Sequence, residues 1–264
     1  AMTGPCVRPG ATIAYRPADE DELATVIERF AAAARRVAAA GFDAIEVHAG
    51  HGYLVDAFLS PRTNTRTDRW GGSLEGRSRL LVEVLGAVRE AAGPGVAVWC
   101  RLNAREIDKP DGETLELSIA TARIATAAGA QAIHVSAYAD PGQAIGITSA
   151  HTPHAAGARL DDAAAIRAAV DVPVITMGRL TADAAEAALA GGRADLIGFG
   201  RPLLADPGLP DAIVAGDPEA ARPCAYQYRC IGNIFLHRPL ACAVRPETGR
   251  PAEPPRVAPR RERV

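Results

Sequence analysis

Two histidines and a tyrosine lie within six residues of one another in the stretch EVHAGHGYL, residues 46–54. A pair of imidazole N–H groups can donate to one carbonyl or anionic oxygen, and a tyrosine hydroxyl can supply a proton. A zinc pair and a plain strand-end cap are the alternatives, although no further zinc ligand stands at a suitable spacing. The candidate catalytic residues are therefore His48, His51 and Tyr53.

Two glycine–arginine pairs occur further along, Gly178–Arg179 in MGRLT and Gly200–Arg201 in GFGRPLLAD. Glycine lets the backbone approach a ligand closely, the start of a following helix offers free N–H groups, and arginine adds charge. A strand-to-helix turn with no ligand is the alternative. Because both pairs stand at corresponding strand ends, they predict an anion site of the kind that holds a cofactor phosphate. No GxGxxG pattern follows a strand, so no separate dinucleotide-binding domain is visible.

Three cysteines, Cys224, Cys230 and Cys242, cluster near the C-terminus. Clustered thiols outside an oxidising compartment favour iron–sulfur or zinc ligation, but a four-thiolate cluster needs one more cysteine. The residue midway between Cys224 and Cys230 is Gln227, which is a poor cluster ligand. Buried free thiols are therefore the alternative. The chain has five cysteines and no secretion signal, which argues against a disulfide framework and predicts a cytoplasmic protein.

The elements that must position these residues alternate along the chain. Five short apolar runs predict buried strands at residues 43–48, 96–102, 132–136, 172–177 and 195–200. Helical patterns are found at residues 19–40, 73–91, 112–128, 160–169 and 181–190, and a last helix is expected from about Asp206. Buried strands joined by helices are typical of a parallel sheet, in either a doubly wound α/β fold or a (β/α)8 TIM barrel.

Polar side chains follow every predicted strand, which favours the barrel, because a barrel gathers all its strand-to-helix loops at one face. A doubly wound sheet concentrates its site at a single switch point. About five of the eight barrel units are visible, so the N-terminal strands are expected to be missing. We predict a partial barrel over residues 1–220, followed over residues 221–264 by the cysteine-bearing segment and a Pro/Arg-rich tail.

The charge balance excludes several kinds of partner. The chain has 29 basic and 31 acidic residues, a net charge of −2, and no long basic run. We therefore expect no nucleic-acid partner and no binding to an acidic membrane surface. No apolar stretch approaches the ~20 residues that a membrane-spanning helix needs.

The stretch GFDAIEVHAGHGYLVDAFLSPRTNTRTDRWGGSLEGRSRLLVEVLGAVREAAG resembles the old yellow enzyme family of NADH:flavin oxidoreductases, and RL, MGR and LIGFGRPLLADP follow in the expected order. The similarity is greatest to its larger members, the 2,4-dienoyl-CoA reductases and trimethylamine dehydrogenase-like enzymes, and covers residues 16–249. This resemblance implies a (β/α)8 barrel that binds FMN, uses NAD(P)H as reductant and acts on a small-molecule substrate.

The resemblance also implies roles for individual residues. His48 and His51 would hold the carbonyl oxygen of an enone or enoyl thioester, and Tyr53 would protonate the α carbon while flavin N5 delivers hydride to the β carbon. Arg101 would stabilise the reduced ring at its N1/C2=O edge. The residues implied for the FMN phosphate are Gly178, Arg179, Gly200 and Arg201.

In the larger members four cysteines bind a [4Fe-4S] cluster, and Cys224, Cys230 and Cys242 match the first, third and fourth, with Gln227 in the second position. Those members also carry a C-terminal nucleotide-binding half. We expect this chain to lack that half and the N-terminal part of the barrel, and to bind FMN weakly when alone. A homo-oligomer is a further expected assembly.

Three functions stay open at this point. The first is an FMN-dependent ene-reductase. The second is an amine dehydrogenase or N-demethylase of the trimethylamine dehydrogenase type, which the six-residue step from Cys224 to Cys230 favours. The third is a truncated, non-catalytic barrel. The loop at residues 137–159, with His151 and His154, is expected to shape the substrate pocket.

Overall fold

A computed structural model of the protein describes residues 16–139 and 155–250. The chain divides into two compact units. The first unit ends at Gly198, and the second begins at Phe199. His151, His154 and almost all of the Pro/Arg-rich tail lie outside the described residues.

The first unit is built on a sheet of parallel strands. These are β1 (Ala44–Ala49), β2 (Ala97–Glu106), β3 (Ile133–Tyr138), β4 (Val174–Met177) and β5 (Leu196–Gly198). Each strand pairs with the next along the chain, so the sheet order is β1-β2-β3-β4-β5. A doubly wound sheet reverses its order at a switch point, whereas a barrel adds strands in sequence. The five predicted strands are confirmed, and their order is that of a partial barrel.

Helices connect and cover these strands. They are α1 (Glu20–Ala39), α2 (Leu54–Leu59), α3 (Leu74–Ala92), α4 (Leu115–Ala127), α5 (Leu160–Arg167) and α6 (Ala182–Ala190). The predicted start of α1 is confirmed, since the Asp19 carboxylate accepts from the Glu22 backbone at 2.9 Å and the Glu22 carboxylate accepts from the Asp19 backbone at 3.1 Å. Helix α2 was not predicted, because six residues are too few to show a helical period.

Successive residues of the strands face opposite sides of the sheet, as strand geometry requires. Val47 and Cys100 are almost fully buried and belong to one hydrophobic core with apolar residues of α1, α3 and α4. Their neighbours Glu46, Arg101 and His134 lie on the other face, where they contact one another. The sheet therefore separates an apolar layer beneath the helices from a polar layer on the barrel's inner side.

The second unit contains α7 (Arg201–Ala205), α8 (Leu209–Val214), a 3₁₀ turn at Pro218–Ala220 and α9 (Arg229–Phe235). The helix expected from about Asp206 corresponds to α8, which begins at Leu209. The short helix α7 was not predicted, and proline at its second position suits the first turn of a helix. Asp206 instead ends α7, and its carboxylate accepts from the backbone of Gly208 and of Arg222, each at 2.9 Å. None of the helices in the described ranges is long and apolar enough to cross a membrane.

Candidate functional site

The loop after β1 carries the two histidines and the tyrosine in a tight turn. His51 and Gly52 both have positive φ angles, 63° and 73°, in the left-handed region that glycine tolerates best. A Cβ on Gly52 would lie 2.7 Å from the hydroxyl oxygen of Tyr138, and a Cβ on Gly50 would lie 2.9 Å from Oδ1 of Asn103. The two glycines therefore allow this loop to pack directly against β2 and β3.

The structure brings the three candidate catalytic side chains together. The ring centroids of His48 and His51 are 4.7 Å apart with an interplanar angle of 79°, and those of His48 and Tyr53 are 5.3 Å apart. Nε2 of His51 lies 2.5 Å from the hydroxyl oxygen of Ser136 on β3, and this hydrogen bond orients the imidazole ring. Tyr53 is 41% exposed, so its side chain is accessible to a small molecule.

Both histidines are neutral at neutral pH. Burial lowers the pKa of His51 to about 3, with further contributions from the nearby His48 and Arg101. Burial and then the charge of Arg101 lower the pKa of His48 in the same way. Each neutral imidazole has one N–H donor, and Nδ1 of His48 is buried without a hydrogen-bond partner among the described residues. The pair is suited to donating to an uncharged carbonyl oxygen.

A carboxylate behind the histidines holds Arg101 in place. Glu46 accepts from Arg101 at 2.6 Å and from the Trp99 indole at 2.9 Å, and its carboxylate lies 2.6 Å from Nδ1 of His134. Burial opposes the ionisation of Glu46, but its contacts with His134, Arg101 and Trp99 lower its pKa to about 2. Arg101 is opposite His48 in the β1–β2 register, so this ion pair fixes a cation beside the histidines. Sequence analysis missed Glu46, Trp99 and His134, although their alternation with buried apolar residues places them on one face.

The turn after β4 contains Gly178 and Arg179. Gly178 has a φ of 132°, which a residue with a side chain adopts only under strain, and its carbonyl accepts from Gly157 at 2.9 Å. Among the described residues, a Cβ on Gly178 would meet only Cγ of Arg159, at 4.0 Å. This turn therefore offers a backbone segment that a ligand can approach closely.

In the second unit, Gly200 precedes α7 and Arg201 begins it. A Cβ on Gly200 would meet no heavy atom of the described residues within 4 Å. The guanidinium carbon of Arg201 lies 5.2 Å from the ring centroid of Tyr226 and 4.9 Å from that of Tyr228. These cation–π contacts orient Arg201 beside an open stretch of backbone.

The clustered cysteines line a small cavity of about 20 Å³ in the second unit. Cys224, Cys230, Cys242 and Gln227 all contribute to its wall, and the Tyr226 backbone donates to Sγ of Cys224 at 3.4 Å. Burial raises the pKa of the Cys224 thiol. In the part of the chain that the structure describes, no group of three metal-ligating side chains is placed to hold a metal ion. With Gln227 in place of a fourth thiolate, these residues do not match a four-cysteine cluster.

The strand order defines a partial barrel, and a neutral histidine pair lies on the loop after β1. These features define the class of a flavin-dependent oxidoreductase. A family model described as the NADH:flavin oxidoreductase / NADH oxidase family matches residues 10–219. The chain belongs to this family, and the resemblance inferred from residues 41–93 and the later motifs is confirmed.

Several relatives are similar over most of the chain. A metal reductase from Desulforamulus reducens is 40% identical over 89% of this chain and 35% of its own length. A cinnamate reductase from Clostridium sporogenes is 33% identical over 93% of this chain and 39% of its own length. The solved structure of 2-naphthoyl-CoA reductase with 2-naphthoyl-CoA has a TM-score of 0.82 and 32% identity, covering 89% of this chain and 36% of that one. The chain thus spans little more than a third of the length of these relatives.

Proposed function

We propose that the protein transfers hydride from NAD(P)H to an activated C=C bond, in an enone or an enoyl thioester, with FMN as its cofactor. The observation that carries the proposal is the neutral His48–His51 pair beside Tyr53. The relatives named cinnamate reductase and 2-naphthoyl-CoA reductase support a reductive reaction on a compound that carries a carboxylate or thioester.

The residues present fit FMN. Nε of Arg101 and Nε2 of His134 are buried without hydrogen-bond partners among the described residues, as expected of atoms that would face a polar ligand. Gly178 and Gly200 each leave open space at the backbone, and an arginine follows each of them. We assign Arg101 to the flavin ring and each glycine–arginine pair, taken by itself, to binding a phosphate group. When bound, FMN would accept hydride from NAD(P)H and pass it to the substrate.

The histidine pair supplies the electrophilic part of the reaction. His48 and His51 would donate hydrogen bonds to the carbonyl oxygen of the substrate. For His51 the Ser136 hydroxyl would donate to Nε2, so that Nδ1 carries the N–H that faces the substrate. As hydride adds to the β carbon, negative charge moves to that oxygen, where donors that are already in place stabilise it most effectively. Tyr53 would supply the proton for the α carbon, so that the C=C bond gains one hydride and one proton.

The proposed function is tested by assaying the purified protein with FMN and NADH or NADPH. An enone, an enoyl-CoA and a tertiary amine serve as alternative substrates. We expect nucleotide oxidation that depends on the enone or the enoyl-CoA, with the saturated compound as product. Reduction of bound FMN by the amine when the nucleotide is omitted, with the amine oxidised by two electrons, would support the amine dehydrogenase alternative. FMN binding without turnover of any substrate would support the non-catalytic one.

Tyr53→Phe should separate the two halves of the reaction. We expect reduction of bound FMN by the nucleotide at the wild-type rate, but transfer to the C=C bond about 10²-fold slower, because phenylalanine has no proton to give. Rapid mixing of the pre-reduced protein with the enone measures the second step. Equal slowing of both steps would indicate that Tyr53 shapes the site without donating the proton.

Gly200→Ala tests the phosphate assignment. The added methyl group has open space in the protein itself, so we expect normal folding. If the phosphate lies against this backbone, we expect the dissociation constant for FMN to rise about 10-fold or more through lost charge-assisted hydrogen bonds. Fluorescence titration of FMN measures it. Gly86→Ala is the matched control, since Gly86 is exposed in α3 with the same open surroundings, and it should leave FMN binding unchanged.

A further inference from the structure

A buried polar cluster lies behind the histidine loop and takes no part in the reaction described above. It consists of Asp56 from α2, Asn103 from β2 and Glu113 from the turn that precedes α4. The exposed fractions of Asp56, Asn103 and Glu113 are 1%, 1% and 4%, respectively. Three polar residues from separate elements are therefore withdrawn almost completely from water, which is costly unless each is satisfied by specific partners.

The cluster is hydrogen-bonded to the backbone of the loop at two consecutive residues. The His51 N–H donates to Oδ1 of Asn103 at 3.1 Å, and the Gly52 N–H donates to Oδ2 of Asp56 at 2.7 Å. Nδ2 of Asn103 then donates to Oδ1 of Asp56 at 2.7 Å and to Oε2 of Glu113 at 3.3 Å. Asn103 is the centre of this network, because its amide group joins the loop to both carboxyl groups.

The charges around the cluster disfavour two ionised carboxylates. Burial raises the pKa of Asp56 to about 7, and burial together with the charge of Asp56 raises the pKa of Glu113 well above its usual range. Glu106, at the end of β2, adds a third carboxyl group that acts on both. Arg62 and Asp111 act on Glu106 with opposite signs. Two adjacent carboxylates in so little water repel each other strongly, so a proton between them stabilises the cluster.

We propose that Asp56, Asn103 and Glu113 form a positioning unit that holds His51 and Tyr53 in their reactive arrangement, and that it does so only while the carboxyl pair retains a shared proton. Loss of that proton places two like charges against the amide of Asn103 and loosens the loop. These are positioning residues, since they act through the backbone of His51 and Gly52. The consequence for turnover rests on the proposed function, whereas the effect on the loop does not.

Backbone hydrogen exchange at His51 and Gly52 tests the proposal directly. In the wild-type protein we expect the protection factors of these amides to fall about 10-fold or more as pH rises through the raised pKa values of the pair and the shared proton is lost. Glu113→Gln should abolish this fall, because glutamine can donate to Asp56 and accept from Asn103 as a protonated glutamate does, yet cannot ionise. Glu116→Gln is the matched control, since Glu116 is exposed in the first turn of α4, and it should behave like the wild type.

Asn103→Ala removes the centre of the network and should lower protection at His51 at every pH. Unchanged protection in Asn103→Ala, or a wild-type fall in Glu113→Gln, overturns the proposal. Because Glu113→Gln keeps size and hydrogen bonding, its test stands even if Asn103→Ala does not fold. With an active protein, kcat for the wild type should fall over the same pH range while Glu113→Gln retains it. Expected exchange without any C=C reduction would overturn the proposed function and leave the positioning unit intact.

Discussion

Replacement of both His48 and His51 by alanine is expected to lower kcat/KM for enone reduction by about 10³-fold or more. The two imidazoles are neutral donors held 4.7 Å apart, and the pre-placed donors of such a site are typically worth about 10²–10³ in rate each. Reduction of bound FMN by the nucleotide should proceed nearly as before, because neither ring is assigned to hydride delivery from NAD(P)H. Steady-state kinetics with the enone, together with single-turnover reduction of FMN, measures both effects.

The double variant also disturbs the fold locally, so its control matters. Loss of the His51 ring leaves the buried Ser136 hydroxyl without its partner, which costs about 1–3 kcal/mol of stability. His51→Asn retains an N–H donor and should recover part of the lost rate. His237→Asn alters an exposed histidine of the second unit at a φ of 52°, which asparagine tolerates, and should have no effect. A double variant with wild-type turnover would remove the histidine pair from the mechanism.

Arg101→Met is the second change with a large expected effect. Methionine is about as long as the aliphatic part of the arginine side chain, but it lacks the positive charge that is assigned to the flavin ring. We expect weaker FMN binding and a fall of about 10²–10³-fold in turnover at saturating FMN, because a charge-assisted contact beside the ring is lost. The reduction potential of bound FMN should become more negative, which a spectroelectrochemical titration measures.

Arg101→Met also removes a partner of Glu46. The effect on Glu46 helps to distinguish a role of Arg101 at the flavin ring from a purely structural role. Without Arg101, the carboxylate keeps only Trp99 and His134 as partners, so its pKa should rise from about 2 toward the ordinary range. Its stabilising contribution is present above the unfolded pKa and is lost as pH falls through the folded pKa, so Arg101→Met should lose stability at a higher pH than the wild type. Arg123→Met, at an exposed position on α4, is the control. A change in stability without a change in FMN potential would make Arg101 structural only.

Much of the architecture was predictable because local rules and tertiary packing agree. The α1 capping box, with Asp19 and Glu22, occurs in the structure as the sequence pattern requires. The five strands are found near their predicted positions, since a buried parallel strand is a short apolar run between helices. Short elements escaped this reasoning: α2 and α9 have six and seven residues, and neither is long enough to show a periodic pattern.

The sequence by itself determined the candidate chemistry of the chain, because histidine, tyrosine and glycine at fixed spacing on one loop are close in space whatever surrounds them. It also identified the family, from the stretch at residues 41–93 and the RL, MGR and LIGFGRPLLADP motifs that follow it. Tertiary structure alone decided which distant residues support that loop. Glu46 meets His134 across three strands, and Asp56 meets Glu113 through Asn103. Strand register decides which side chains become partners, and burial decides which carboxyl groups keep their protons. The spacing of residues along the chain encodes neither register nor burial.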